Sequence, residues 1–190
     1  MQVKINFQSI CRLSTAMVLL SFIVPVAVAE DRAGLDADVR AAIELLKSTS
    51  PAAAELGPKA RGALVFPNVT KAGFIVGALY GNGALIKARK GGGYYIDEYY
   101  SMAAASYGFQ AGVQNYGYVL MLMTDAAVEN VETSQGWDLG VGPSIVIVDA
   151  GMAKTLTAKT ADKDVYAFTF GQTGLMAGAG LQGTKITPLN

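Results

Sequence analysis

The 190-residue sequence contains no histidine, and its single cysteine, Cys11, lies near the amino terminus. Without histidine, Ser-His-Asp and Cys-His nucleophile systems are excluded, as are zinc and haem sites built on His or Cys. No metal or cofactor is expected. Gly91-Gly92-Gly93 lacks both the Gly-Lys-Ser/Thr sequel and the strand-to-helix setting of a phosphate loop, and reads as a flexible turn. Carboxylate chemistry stays formally open through Asp97 with Glu98, Asp149, or Asp162 with Asp164. Nothing in their spacing makes two of them converge as a glycosidase pair must, so no catalytic residue is assigned and the chain reads as a non-enzyme.

The first residues read as a targeting segment. Lys4 and Arg12 precede an apolar run, Leu13 to Val24, that is short for a membrane span. Ala27 and Ala29 then supply the A-x-A pattern read by signal peptidase, placing a cut before Glu30; a retained anchor is the competing reading. Cys11 precedes the apolar run and so is not placed for acylation. Removal of residues 1–29 takes away Lys4 and Arg12 and leaves 13 basic against 15 acidic side chains, a formal charge of −2, with no thiol. Such a balance gives no general attraction to nucleic acid, and the expected location is the periplasm or cell envelope.

What is abundant is glycine: 22 residues, all after position 29 and well above the usual share of ~7%. Residues 30–60 read as helical. Leu35, Val39, Ile43 and Leu46 recur at helical spacing within a helix expected over 36–49, with Asp36 as its N-cap. Ser50-Pro51 opens a second, short helix that Gly57-Pro58 stops.

From Arg61 onward, runs of Val, Ile, Tyr and Phe broken by Gly read as β-strands over 61–190. Ala63–Phe66 is expected to end at Pro67. Three hairpins are expected: 73–80 with 84–89 through Gly81-Asn82-Gly83, 105–114 with 118–123, and 165–170 with 175–181 through Gly171–Gly174. A helix over 125–134, capped by Thr124 or Asp125 and ended by Gly136, turns Val128 and Val131 inward. The apolar run 144–148 reads as a strand buried on both faces near the sheet centre. Gly73 and Gly77 share a strand face, where a bare backbone admits another backbone, a ring or an apolar ligand. The fold class is α+β, mostly β: N-terminal helices packed on a Gly-rich antiparallel barrel or sandwich. An outer-membrane barrel, the main rival for such strands, is disfavoured by the helical segment, by the 145–148 run and by a C-terminus without a final aromatic residue.

Positive charge clusters at Lys87, Arg89 and Lys90, beside the triple-glycine turn and Tyr94, Tyr95, Tyr99 and Tyr100. Cations with interfacial tyrosines suit anionic head groups. A solvated turn followed by core tyrosines is the plainer alternative.

The order of motifs is similar to that of the SYLF domain, called the Las-seventeen-binding actin-regulator domain in fungal members. The resemblance runs over about 36–190. It rests on Arg61-Gly62-Ala63-Leu64-Val65-Phe66-Pro67-Asn68-Val69, Lys71-Ala72-Gly73-Phe74, Tyr80-Gly81-Asn82-Gly83, Ala105 to Gly112, Leu122-Met123-Thr124-Asp125, Gly136-Trp137 and Asp164 to Gly178. It implies a module that binds anionic phospholipid or phosphoinositide-like lipid. Lys87, Arg89, Lys90, Lys71, Tyr94 and Tyr95 are the lipid-binding candidates, and a structural or protein-interaction module of the envelope is the alternative. Two departures stand out. The N-terminal helix is not basic, since Asp31, Asp36, Asp38 and Glu44 outnumber Arg32, Arg40 and Lys47, and actin binding has no place in an exported protein.

Overall fold

A computed structural model describes residues 32–134, 136–138, 145–148, 156–157, 159–178 and 181–189. The segment 1–29 read as a signal peptide, Ser144 and Asp149 lie outside them.

Helix α1 spans Arg32–Thr49 and buries Leu35, Val39, Ala42, Ile43 and Leu46 along one stripe. Each aliphatic side chain so buried contributes roughly 1.5–3 kcal/mol. The helix begins earlier than the sequence reading placed it, so Asp36 is inside it and caps nothing; its carboxylate accepts a bond from the Tyr99 hydroxyl at 2.9 Å. Helix α2, Pro51–Leu56, is capped as expected, with Ser50 Oγ accepting from Ala53 N at 3.3 Å. Gly57-Pro58 does not end the turn at once, because a 3-10 turn continues over Gly57–Lys59.

The expected hairpins at 81–83 and within 105–123 do not form. Strand β1 runs unbroken over the 27 residues Gly62–Ala88, and β2 over the 29 residues Tyr94–Leu122. They pair antiparallel along their whole length, from Gly62↔Leu122 to Ala88↔Tyr94. Pro67 does not close a strand either, since it falls at a bulge between Phe66 and Val69, where a missing N–H is tolerated.

The ribbon bends sharply at Ile75. Between Phe74↔Ala111 and Val76↔Tyr107, one residue of β1 opposes three of β2, so β2 takes the longer path. Ile75 adopts φ +65°, a conformation rare for a β-branched residue. Beyond the bend, β1 returns across its own first arm at backbone contact. A Cβ on Gly62 would lie 2.7 Å from Ile86 O, one on Gly81 2.9 Å from Asn68 O, and one on Gly73 2.5 Å from Gly77 Cα. Gly81 and Gly83 thus serve close approach and not a turn. The glycine face foreseen at Gly73 and Gly77 is occupied by the strand's own backbone.

The sheet order is β3-β6-β2-β5-β4, with β1 also on β2. Strand β6, Leu181–Pro188, pairs with the first arm of β2, and β5, Val165–Gly178, with the second. The third expected hairpin is therefore one strand. Gly171 and Gly174 do take positive φ, but they build a bulge opposite Asn115–Gly117. Strand β3 is Trp137–Asp138, and β4 is Ile145–Val148. The central position expected for β4 is overturned: it stands last in the order, parallel to β5, with Ile147 66% exposed. One feature set against an outer-membrane barrel is thereby lost. Helix α3 spans Asp125–Thr133 on a Thr124 cap, buries Ala127 and Val131, and ends at Ser134 before Gly136 is reached.

The result is a mostly-β α+β fold whose sheet curls as a half-barrel. Strand alternation feeds two cores. Leu64, Phe66, Leu120, Leu122, Val165 and Ala167 point inward with Tyr100, Met102 and α3. Ala63, Val65, Val119, Met121, Tyr166 and Phe168 point outward beneath α1 and α2.

Candidate functional site

The β1–β2 connection is a tight turn closed by Arg89 N donating to Gly93 O and Gly92 N to Arg89 O, both at 3.0 Å. Gly92 and Gly93 take φ of +93° and +76°, which glycine alone adopts without strain. Continuous pairing of β1 with β2 brings Lys87, Arg89, Lys90, Tyr94 and Tyr95 to this one end of the ribbon.

The cations there are not equivalent. Lys87 is held between two carboxylates, Asp97 of β2 at 2.8 Å and Glu132 of α3, with 24% of its side chain exposed. Hydrogen bonds to these two groups raise its pKa well above the ordinary lysine range. Its ammonium is therefore a lock between turn and helix. Arg89 and Lys90 are exposed and make no ion pair among the described residues. Arg89 lies over the Tyr95 ring at 5.9 Å. Tyr94 is half-buried against the outer core, beneath Arg40 of α1 at 5.9 Å. Lys71 is not brought to the turn: it sits opposite Gln114 on the other side of the bend.

Two recesses flank the turn. One, about 650 Å³ and open, has mixed charge from Arg61, Arg89, Lys90, Asp125, Glu129 and Glu132. The other, about 380 Å³, lies between α1, α2 and the outer face of the ribbon and is mainly apolar. Ile43 and Leu46, read from the sequence only by their helical spacing, also form a wall of this second recess. Arg40 and Glu132 were missed because only tertiary packing carries them to the turn.

Of the carboxylates weighed as catalytic candidates, the four among the described residues are each engaged separately. Asp97 binds Lys87, Glu98 accepts from the Tyr100 hydroxyl at 2.8 Å, Asp162 binds Lys163 at 3.2 Å, and Asp164 accepts from Thr124 Oγ1 at 3.2 Å.

Residues 103–190, which hold the second arm of β2, α3 and strands β3 to β6, match the model of the Ysc84 family, described as Las17-binding protein actin regulator. The chain belongs to the Ysc84 (SYLF) family. An SH3 domain-containing YSC84-like protein 1 of Pongo abelii is 30% identical over 128 residues, 66% of this chain. The chain spans 36% of that relative's length. Ysc84 domains are binding or regulatory modules. In this one the basic turn and Asp97 lie outside the segment matched by the family model, and Glu132 of α3, the other carboxylate that locks Lys87, lies inside.

Proposed function

We propose that this Ysc84 domain is a non-enzymatic module that binds anionic phospholipid through the β1–β2 turn. The observation that carries the reading is the convergence of Arg89 and Lys90, two cations without an ion pair among the described residues, with Tyr94 and Tyr95 on a turn of three glycines. Cations near an anionic bilayer each contribute about 1 kcal/mol, while tyrosines settle at its interface. The protein acts, on this reading, in the periplasm or envelope after cleavage near Ala29–Glu30, as Lys4, Arg12, the run Leu13–Val24 and the A-x-A pattern support. Actin plays no part there.

A second reading, a protein-interaction module of the envelope, is favoured by the bend. Phe74, Val76 and Leu175 are 75%, 62% and 88% exposed there, with Ile75 and Val113 beside them. Contiguous apolar surface of this kind marks interaction sites.

Flotation with neutral and with anionic liposomes, at low and at physiological salt, decides between them. Salt-sensitive binding to anionic vesicles that Arg89→Glu with Lys90→Glu weakens supports the first reading. Binding that the pair leaves unchanged removes the turn as its site, and no binding to either vesicle favours the second.

A further inference from the structure

The apolar recess beneath the turn is walled by helix on one side and by strand on the other. Its floor comes from Val65, Ile86, Val119 and Met121 on the outer face of the ribbon, and its helical wall from Ile43 and Leu46. A volume of about 380 Å³ falls within the range of pockets that enclose small ligands. The three charged residues among those that line it, Lys47, Lys87 and Arg89, are all cationic. Lys47 is paired with Glu44 at 2.9 Å and Lys87 with Asp97 and Glu132, so the charge available at the mouth is that of Arg89. Gly57, Gly92 and Gly93 border the opening, and a Cβ on any of them would meet nothing within 4 Å.

We infer that this cleft takes one acyl chain of an anionic lipid, with the head group meeting Arg89 at the mouth. The inference rests on the lipid-binding reading above and narrows it from a surface contact to a single enclosed chain. Apolar walls without an acidic residue exclude a cationic or purely polar guest. A cationic rim over an apolar floor matches an amphiphile whose anionic end stays at the surface. The triple-glycine turn closes one side of the mouth and carries no side chains that a passing chain would have to displace.

The test is titration of the purified full chain with octanoate, laurate and palmitate, read by native mass spectrometry and by displacement of a fluorescent fatty acid. Affinity should rise by about fourfold per methylene until the cleft is full, with one chain bound per protein. Gly57→Trp, at a helical backbone position with open space around it, should weaken palmitate binding by at least about tenfold while leaving the circular dichroism unchanged. Ala54→Trp, on the exposed face of α2 at the same opening, is the second blocking variant. Arg89→Gln should weaken palmitate but not hexadecanol. Palmitate binding that neither tryptophan reduces, or that does not saturate at one chain, overturns the cleft while leaving the flotation result to stand by itself. Blocked palmitate uptake without vesicle binding supports the cleft and removes the membrane-surface reading. If the tryptophan variants also lose flotation on anionic vesicles, the chain comes from a membrane phospholipid; if only palmitate uptake falls, it comes from a free fatty acid.

Discussion

Gly83 lies against the ring of Phe66 on the opposite arm of its own strand, so close that a Cβ there would come within 2.6 Å of Phe66 Cδ1. Phe66 is fully buried and cannot swing away into solvent. Gly83→Ala should therefore cost about 1–3 kcal/mol, as overpacking does, and lower the thermal midpoint. Gly57→Ala, where a Cβ meets open space on a helical backbone, should be neutral or stabilising by up to ~1 kcal/mol. Equal effects at the two sites would contradict the crossing of the two arms.

Ile75 holds the bend at φ +65° with 46% of its surface exposed. Left-handed backbone costs an ordinary residue about 1–2 kcal/mol, and little burial is lost by removing this side chain. Ile75→Gly should stabilise the domain by about 1 kcal/mol in urea denaturation. A clear loss of stability would mean that the isoleucine side chain contributes more at the bend than its backbone costs.

Lys87 ties the turn to α3 through Asp97 and Glu132. Lys87→Met leaves those two carboxylates facing each other and should destabilise by about 1 kcal/mol. A double-mutant cycle of Lys87→Met with Glu132→Gln should show a coupling of about 0.5–1 kcal/mol. Zero coupling would reduce the contact to an incidental neighbour.

Alkaline pH should unfold the domain in a defined window. Burial raises the Tyr118 phenol to about 12, and burial with the bond to Glu98 holds Tyr100 above its usual range as well. Above an unfolded value near pH 10 the unfolded chain sheds these protons while the folded chain keeps them. Stability is thus complete below pH 10 and falls as pH rises toward 12. The raised pKa of Lys87 acts with the same sign, its contribution being full below 10.5 and lost above. Tyrosinate absorbance and circular dichroism followed together should change in step for these buried phenols, whereas early ionisation without unfolding would show them to be accessible.

The helices were legible because their signals are local: Ser50 and Thr124 cap within three residues, and the Leu35 to Leu46 stripe repeats along one chain segment. Strand content was legible too, but strand connectivity was not. Gly81-Asn82-Gly83 has the composition of a hairpin, yet its glycines are needed for lacking a Cβ, a demand set by Phe66, Asn68 and Val69 across the fold. Ile145–Val148 has the composition of a central strand and lies at the end of the sheet order, because composition reports affinity for apolar contact and not position. At the turn, Arg89, Lys90, Tyr94 and Tyr95 were legible as sequence neighbours. The neutralisation of Lys87 depends on Glu132, which no spacing rule connects to it.

The unbroken pairing of β1 with β2 also orders assembly in time. A ribbon whose register starts at the five residues 89–93 can zip from its turn, each new pair adjoining one already formed. Strands β5 and β6 must instead find β2 across long intervening chain, with Tyr100 waiting for Pro188. Closing such loops costs entropy before contacts offset it. The ribbon is thus expected to be the early, fast-forming unit, and docking of the carboxy-terminal strands the slow step that completes the inner core.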